Sequence, residues 1–214
     1  MIICKTKTEF VAARAGMRGR VAFVPSMGAL HDGHLSLVKE ARAVADFVVV
    51  SIFVNPTQFA PDEDFDSYPR NINRDVSLLN SASVDCVFLP EIIDLYPNGP
   101  APHLTATDFG DAARGLEAKF RPHFFDGVCS VVHRLFEIVR PDAAVFGEKD
   151  YQQLMVIREM VAGLEMPIEI VGAPIARDEH GLALSSRNAY LSAEELAVAR
   201  TLNTSLRVPG GHKH

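Results

Sequence analysis

The sequence predicts an α/β fold: a mostly parallel sheet with helices on both faces. Three observations lead there. Short β-branched apolar runs alternate several times with longer stretches at helical spacing. The run Phe47–Val54 is nearly continuous and rich in valine, which suits a strand buried on both faces. Polar clusters recur just after the apolar runs, at the strand C-termini where open α/β sheets bind their ligands.

Length and composition set the frame. A chain of 214 residues makes one large domain or two small ones, at roughly 100–200 residues per domain. Hydrophobic residues make up 48% and charged residues 22%, which excludes a disordered chain. The apolar runs fall far short of the roughly 20 residues that span a bilayer, so no membrane partner is expected. No basic segment followed by an apolar one opens the chain, so no secretory signal is expected. The 21 basic against 27 acidic residues leave a net charge of −6, which argues against a duplex nucleic-acid partner but leaves room for a small anion. Cys4, Cys86 and Cys129 form no CxxC pair, so neither a disulfide framework nor a cysteine zinc site is expected, and a reducing, cytoplasmic setting fits.

Element by element, Ile2–Cys4 reads as an edge strand and Thr8–Met17 as a helix closed by Gly19. Arg20–Pro25 is a short apolar run before a glycine-containing loop, hence a strand. His34–Ala45 carries Leu35, Val38, Ala41 and Val44 at helical spacing, and Phe47–Val54 is the valine-rich strand. Asn71–Ala82 reads as helix and Val84–Leu89 as strand. Pro90–Phe125 holds five of the thirteen prolines and reads as loops and short elements rather than a second domain. Val128–Val139 is a helix with Val132, Leu135, Phe136 and Val139 on one side. Ala143–Phe146 is a strand, Tyr151–Ala162 a helix and Ile168–Val171 a strand. Ser192 followed by Glu195 matches a capping box, so a last helix begins near Ala193. Residues 1–206 are read as one domain, and 207–214, without apolar periodicity, as a vector-type tail outside it.

Four clusters carry chemistry. Pro25–His34 joins a strand to a helix, with Gly28 and Gly33 allowing close backbone approach. His31 and His34, three apart, face one side of a helix start that favours anions through its dipole and free N–H groups. A histidine-capped turn without ligand is the alternative, and two histidines without a third ligand make a poor zinc site. Asn55 and Gln58 follow the valine-rich strand and offer amides to a polyhydroxy acid, or simply form an Asn-Pro turn. Gly147-Glu-Lys149-Asp150 and Gln153 follow a third strand. Lys149 suits phosphates, and Asp150 suits a ribose hydroxyl or Mg²⁺ held through water, unless the segment is a solvated helix start. Leu184-Ser-Ser-Arg187 offers two hydroxyls and a permanent cation to triphosphate oxygens, or forms a serine-rich turn.

Taken in order, Val24–His34, Ser51–Phe59, Phe146–Leu154 and Gly181–Ser192 resemble the pantothenate synthetase (pantoate–β-alanine ligase) family. That family lies within the HxGH nucleotidyltransferases, which include class I aminoacyl-tRNA synthetases. The resemblance runs from about Ile2 to Leu206. It implies a Rossmann-like domain of nucleotidyltransferase type. It also implies ATP-dependent condensation of pantoate with β-alanine through pantoyl adenylate, releasing AMP and pyrophosphate. ATP would lie on Met27, Gly28, His31, Gly33 and His34, on Gly147, Glu148, Lys149 and Asp150, and on Ala176, Leu184, Ser185, Ser186 and Arg187. Gln58 and Gln153 would take pantoate and the β-alanine pocket, with Asn55 nearby. His34, His31, Lys149 and Arg187 would be catalytic, and the counterpart of His34 is treated as a proton donor. Mg²⁺ would accompany ATP without direct protein ligation, and the protein would be a homodimer. The alternatives are another HxGH nucleotidyltransferase, or a domain that binds ATP without turning it over.

Two departures stand out. The family pattern Arg-Pro-x-His-Phe-x-Gly-Val meets Arg121-Pro-His123-Phe124-Phe125-Asp-Gly-Val128, with the histidine one position early. Either His123 reaches the site by a local shift or that contact is absent. The family's smaller C-terminal domain, which closes over the site, has no counterpart here, so the sequence is expected to be the N-terminal domain alone. Elsewhere His133 reads as a core histidine, His103 and His180 as solvated, Cys129 as core, and Tyr68 and Arg70 as possible pocket residues.

Overall fold

The computed structural model describes residues 1–60, 63 and 65–206; the expected tail at 207–214 lies outside the described residues. In chain order the elements are β1 (Ile2–Cys4), α1 (Lys7–Ala15), β2 (Val21–Ser26), α2 (Asp32–Val44), β3 (Phe47–Ile52), α3 (Ile72–Ser81) and β4 (Cys86–Phe88). Single turns α4 (Ile92–Leu95) and α5 (Glu117–Phe120) precede α6 (Phe124–Val139), β5 (Ala143–Gly147), α7 (Tyr151–Gly163) and β6 (Glu169–Ala173). The described chain closes with α8 (Ala193–Ala199) and α9 (Thr201–Leu206). None of the described helices is long and apolar enough to cross a membrane.

The six strands are parallel and ordered β1-β4-β3-β2-β5-β6. Alternation along β2 divides two cores. Val21 and Phe23 join Phe10 of α1, Leu135 and Phe136 of α6, and Leu154 and Met160 of α7. Ala22 and Val24 join Val38 and Ala41 of α2 and Leu79 of α3 on the other face. The expected layers, helix–sheet–helix, are therefore present. The proline-rich stretch after β4 lies on the first core through Leu95, Tyr96, Ala106 and Ala113.

The sheet's order reverses between β2 and β5, and there the ladder stops early. The two strands pair only at Ala22–Ala143 and Phe23–Ala144, although β2 runs on to Ser26 and β5 to Gly147. Arg20 and Ser26 direct their carbonyls to the β3 side, and Val21 directs its carbonyl to the β5 side, accepting from the Asp142 N–H. By this alternation Pro25 faces β5, where it has no N–H to offer. The strands separate at that point and leave a crevice at their C-terminal ends.

Several boundaries differ from expectation. α2 begins at Asp32 rather than His34, because the His31 Nδ1 accepts the Gly33 N–H at 3.1 Å and so caps the helix. β3 ends at Ile52, and only the Phe53 N–H continues the ladder, to the Ser26 carbonyl. α6 starts four residues before the expected Val128. Its first turn lies against the turn Pro56–Gln58, and a side chain on Gly127 would come within 2.3 Å of the Thr57 carbonyl oxygen. Gly127, which reads locally as a helix breaker, is what permits this close approach.

Candidate active site

A cleft of about 620 Å³ opens over the C-terminal ends of β2, β3, β5 and β6. The β2–α2 loop contributes Met27, His31, Gly33 and His34. Asn55 and Gln58 come from the turn after β3, and Gly147, Lys149 and Asp150 from the turn after β5, with Gln153 one turn into α7. Ala176 follows β6, and Leu184, Ser185, Ser186 and Arg187 complete the wall. Two sequence candidates lie elsewhere. Gly28 faces Ile52 and Asp75, and Glu148 turns toward Gly172.

The two histidines are arranged by each other. His31 Nδ1 accepts from the Gly33 N–H at 3.1 Å, and His34 Nδ1 accepts from the His31 N–H at 3.3 Å. The rings lie 4.2 Å apart between centroids. With both Nδ1 atoms accepting, each neutral ring carries its proton on Nε2 and can donate it to a ligand. Burial, then the neighbouring His31 and Lys149, pushes His34 down to about 3. Burial and Lys149 lower His31 as well. At neutral pH both are uncharged donors. An uncharged His34 offers an Nε2–H hydrogen bond rather than a full positive charge. One expectation is corrected: the backbone N–H groups of this loop are largely committed, Gly33 donating to His31, and Ala29 and Leu30 to the Asp75 carboxylate at 2.9 Å each.

Positive charge comes from the adjacent walls. Lys149 Nζ sits 3.1 and 3.2 Å from the Asp150 carboxylate oxygens, an exposed pair that can open toward a phosphate. Ser185 Oγ accepts from the Arg187 N–H at 3.3 Å and starts the turn Ser186–Tyr190, which carries the guanidinium to the cleft.

The other half of the cleft presents amides. Asn55 is 1% exposed and spends its hydrogen bonds inside the protein. Its Oδ1 accepts from Tyr96 OH at 2.7 Å and from the Thr57 N–H at 3.3 Å. Its Nδ2 donates to the Gly127 carbonyl at 3.2 Å and to Gln58 Oε1 at 2.9 Å. Asn55 therefore orients Gln58, whose Oε1 is occupied and whose Nε2 is left to donate into the cleft. The buried Tyr96, part of that network, lies in a stretch without periodicity and so carries no sequence signal. Arg121 makes two 2.6 Å bonds to Glu63, one at 3.1 Å to Glu117 and one at 2.8 Å to the Gln58 carbonyl. The Arg121 guanidinium holds Glu63 below the usual carboxylate range.

Phe124, not His123, lines the cleft, with the Arg121 guanidinium 4.0 Å above its ring. His123 is exposed ahead of α6, and its side chain makes no capping bond there. No local shift restores the family histidine. Tyr68 lines the cleft, whereas Arg70 turns away to the Phe65 and Asp66 carbonyls. His133 Nδ1 meets His103 Nε2 at 3.1 Å, so His103 is held to α6 rather than simply solvated.

Comparisons with known proteins identify the family. The family model described as pantoate-beta-alanine ligase matches residues 2–211. A pantothenate synthetase of Mesorhizobium japonicum is 58% identical over 187 residues, 87% of this chain and 65% of the relative. The crystal structure of pantothenate synthetase from Thermus thermophilus superposes with a TM-score of 0.90 at 49% identity, covering 96% of this chain and 73% of that one. The pantoate-beta-alanine ligase of Francisella tularensis, solved with beta-gamma ATP and beta-alanine, gives 0.91 at 39% identity, covering 98% and 80%. The chain thus spans about two thirds to four fifths of the proteins it matches. Six parallel strands, the crevice at their point of reversal, the histidine pair and the matches across nearly all of its length place this chain in the pantoate–β-alanine ligase family.

Proposed function

We propose that the protein condenses pantoate with β-alanine at the expense of ATP, through pantoyl adenylate. The observation that carries this reading is that one cleft joins a phosphate-type wall to an amide wall. His31, His34, Lys149, Ser186 and Arg187 form the first, and Gln58 and Gln153 the second. ATP and beta-alanine are bound by the Francisella relative, which supports the same substrates here. A pantoate carboxylate oxygen attacks the α-phosphorus, and the bond to the β-phosphate oxygen breaks, giving pantoyl adenylate and pyrophosphate. The β-alanine nitrogen then attacks the acyl carbon, loses its proton and expels AMP.

The carboxylate is already a nucleophile at neutral pH, so the protein's task is positioning and charge stabilisation. The Nε2–H groups of His31 and His34 donate to phosphate oxygens without adding a full charge. Lys149 and Arg187 neutralise the charge that moves onto pyrophosphate. Gln58 Nε2 and Gln153 hold the acid. Mg²⁺ would accompany ATP, with the Asp150 carboxylate beside the triphosphate wall holding it through water. When bound, the ion would withdraw charge from the phosphates. A cytoplasmic setting, supported by three buried free thiols, and a homodimer, which rests on the family resemblance, complete the reading; sedimentation equilibrium tests the dimer.

The test is pantoate-dependent exchange of labelled pyrophosphate into ATP, with Mg²⁺ and without β-alanine. Exchange is the expected result. ATP binding without exchange would reduce the chain to a nucleotide-binding domain. Exchange with nicotinamide mononucleotide or phosphopantetheine instead of pantoate would move it to another nucleotidyltransferase.

A further inference from the structure

We infer that Asp75, on α3 and outside the cleft lining, is a positioning residue for the nucleotide site: its buried carboxylate holds the loop that delivers both histidines. The inference rests on the reading of the cleft as an ATP site. Gly28 and Ala29 both take left-handed backbone conformations, with φ of 86° and 50°. A turn that aims successive N–H groups the same way forms a concavity that binds anions. Here an internal anion fills it. Asp75 Oδ2 accepts the Ala29 N–H and Oδ1 the Leu30 N–H, each at 2.9 Å.

Asp75 is 1% exposed, and Leu30 beside it is equally buried. A side chain on Gly28 would stand 3.1 Å from Asp75 Oδ2 and 3.0 Å from Ile52 Cγ2, so the backbone lies directly on the carboxylate. The neighbouring Arg74 adds a second hold, donating to the Leu30 carbonyl at 3.2 Å. His31 follows Leu30 directly, and its backbone N–H fixes His34. The conformation that aims both Nε2–H groups therefore rests on α3. A non-glycine residue at positive φ is strained and persists only where its surroundings enforce it. The carboxylate supplies that enforcement for Ala29.

Asp75→Asn keeps the volume but opposes an NH₂ to one of the two loop N–H groups. ATP binding is measured by titration calorimetry, with pantoate binding measured on the same samples. Wild-type protein that binds no ATP would overturn the cleft reading itself, separately from this inference. Given wild-type binding, D75N should weaken ATP by about tenfold or more, the consequence of one unsatisfied buried donor, while pantoate affinity stays within about twofold. Asn71→Ala is the control. It removes the N-cap of α3, where Asn71 Oδ1 accepts the Arg74 N–H, without touching the loop. If N71A at matched stability weakens ATP as much as D75N does, or if folded D75N binds ATP like wild type, the inference fails. Should D75N not fold, Arg74→Ala, at an exposed position, must show a smaller but selective loss of ATP affinity; equal binding would overturn the proposal.

Discussion

His34 is buried and stands beside His31 and Lys149, so its proton affinity falls to about 3; its Nδ1 accepts the His31 N–H. Its imidazole resonances should stay those of the neutral Nε2–H form from pH 8 down to about 4, by NMR of labelled histidine. Activity that rises as pH falls through 6.5 and vanishes in His34→Ala would instead mark a proton-donating ring. Stability follows the same shift. Between 6.5 and about 3 the unfolded ring binds a proton that the folded ring refuses, so His34 opposes folding increasingly as pH drops below 6.5 and not above it. Denaturant melts at pH 7.5 and 5.0 should show the loss, reduced in His34→Ala. Gln58 allows a second prediction at this scale. Asn55 occupies Oε1, so under the proposed reading Gln58→Glu replaces the donor to pantoate with an oxygen that repels its carboxylate. The KM for pantoate should rise by about 10–100-fold, the scale of a hydrogen bond to a charged group, with the KM for ATP little changed.

Helix starts decide which side chains reach the cleft. α2 begins two residues before the expected His34, because an imidazole acts as the cap. Histidine is not among the usual capping residues, and only the alternative reading of the loop as a histidine-capped turn anticipated it. α6 starts early for a tertiary reason, the contact of its first turn with Pro56–Gln58 across Gly127. Gly127→Ala should therefore cost about 1–3 kcal/mol in a denaturant melt, the range for overpacking. It should also raise the KM for pantoate, since Asn55 Nδ2 donates to the Gly127 carbonyl. An unchanged melting point would show that the first turn of α6 can shift away.

The molecule as a whole buries its thiols. Cys4, Cys86 and Cys129 are at most 2% exposed and free, with Cys4 and Cys86 Sγ atoms 3.8 Å apart across β1 and β4. Burial pushes Cys86 and Cys129 up to about 12, so neither supplies thiolate at neutral pH. A disulfide-type thiol reagent should modify essentially none of them in the native protein and all three in guanidinium. Rapid reaction of the native protein would mean that the sheet opens easily at β1. The cleft is likewise a property of the whole sheet. It exists because the strand order reverses at β2 and β5 and because Pro25 ends their ladder.

The alternation of strands and helices, the four polar clusters at strand C-termini and the family are all legible in the sequence. Each is written in local chemistry: periodicity, turn residues and contiguous motifs. Met27, His31, His34, Lys149, Gln153 and Ser185–Arg187 were legible in that way, and all line the cleft. The partners of those residues come from the folded chain. Asp75 lies 45 residues from Leu30, and Glu63 lies 58 from Arg121, too far apart for spacing to couple them. The fold also decided that no local shift brings His123 into the cleft beside Phe124, and that the loop N–H groups serve an internal carboxylate. These outcomes follow from burial, which requires each polar group to find a partner wherever the fold brings one within reach.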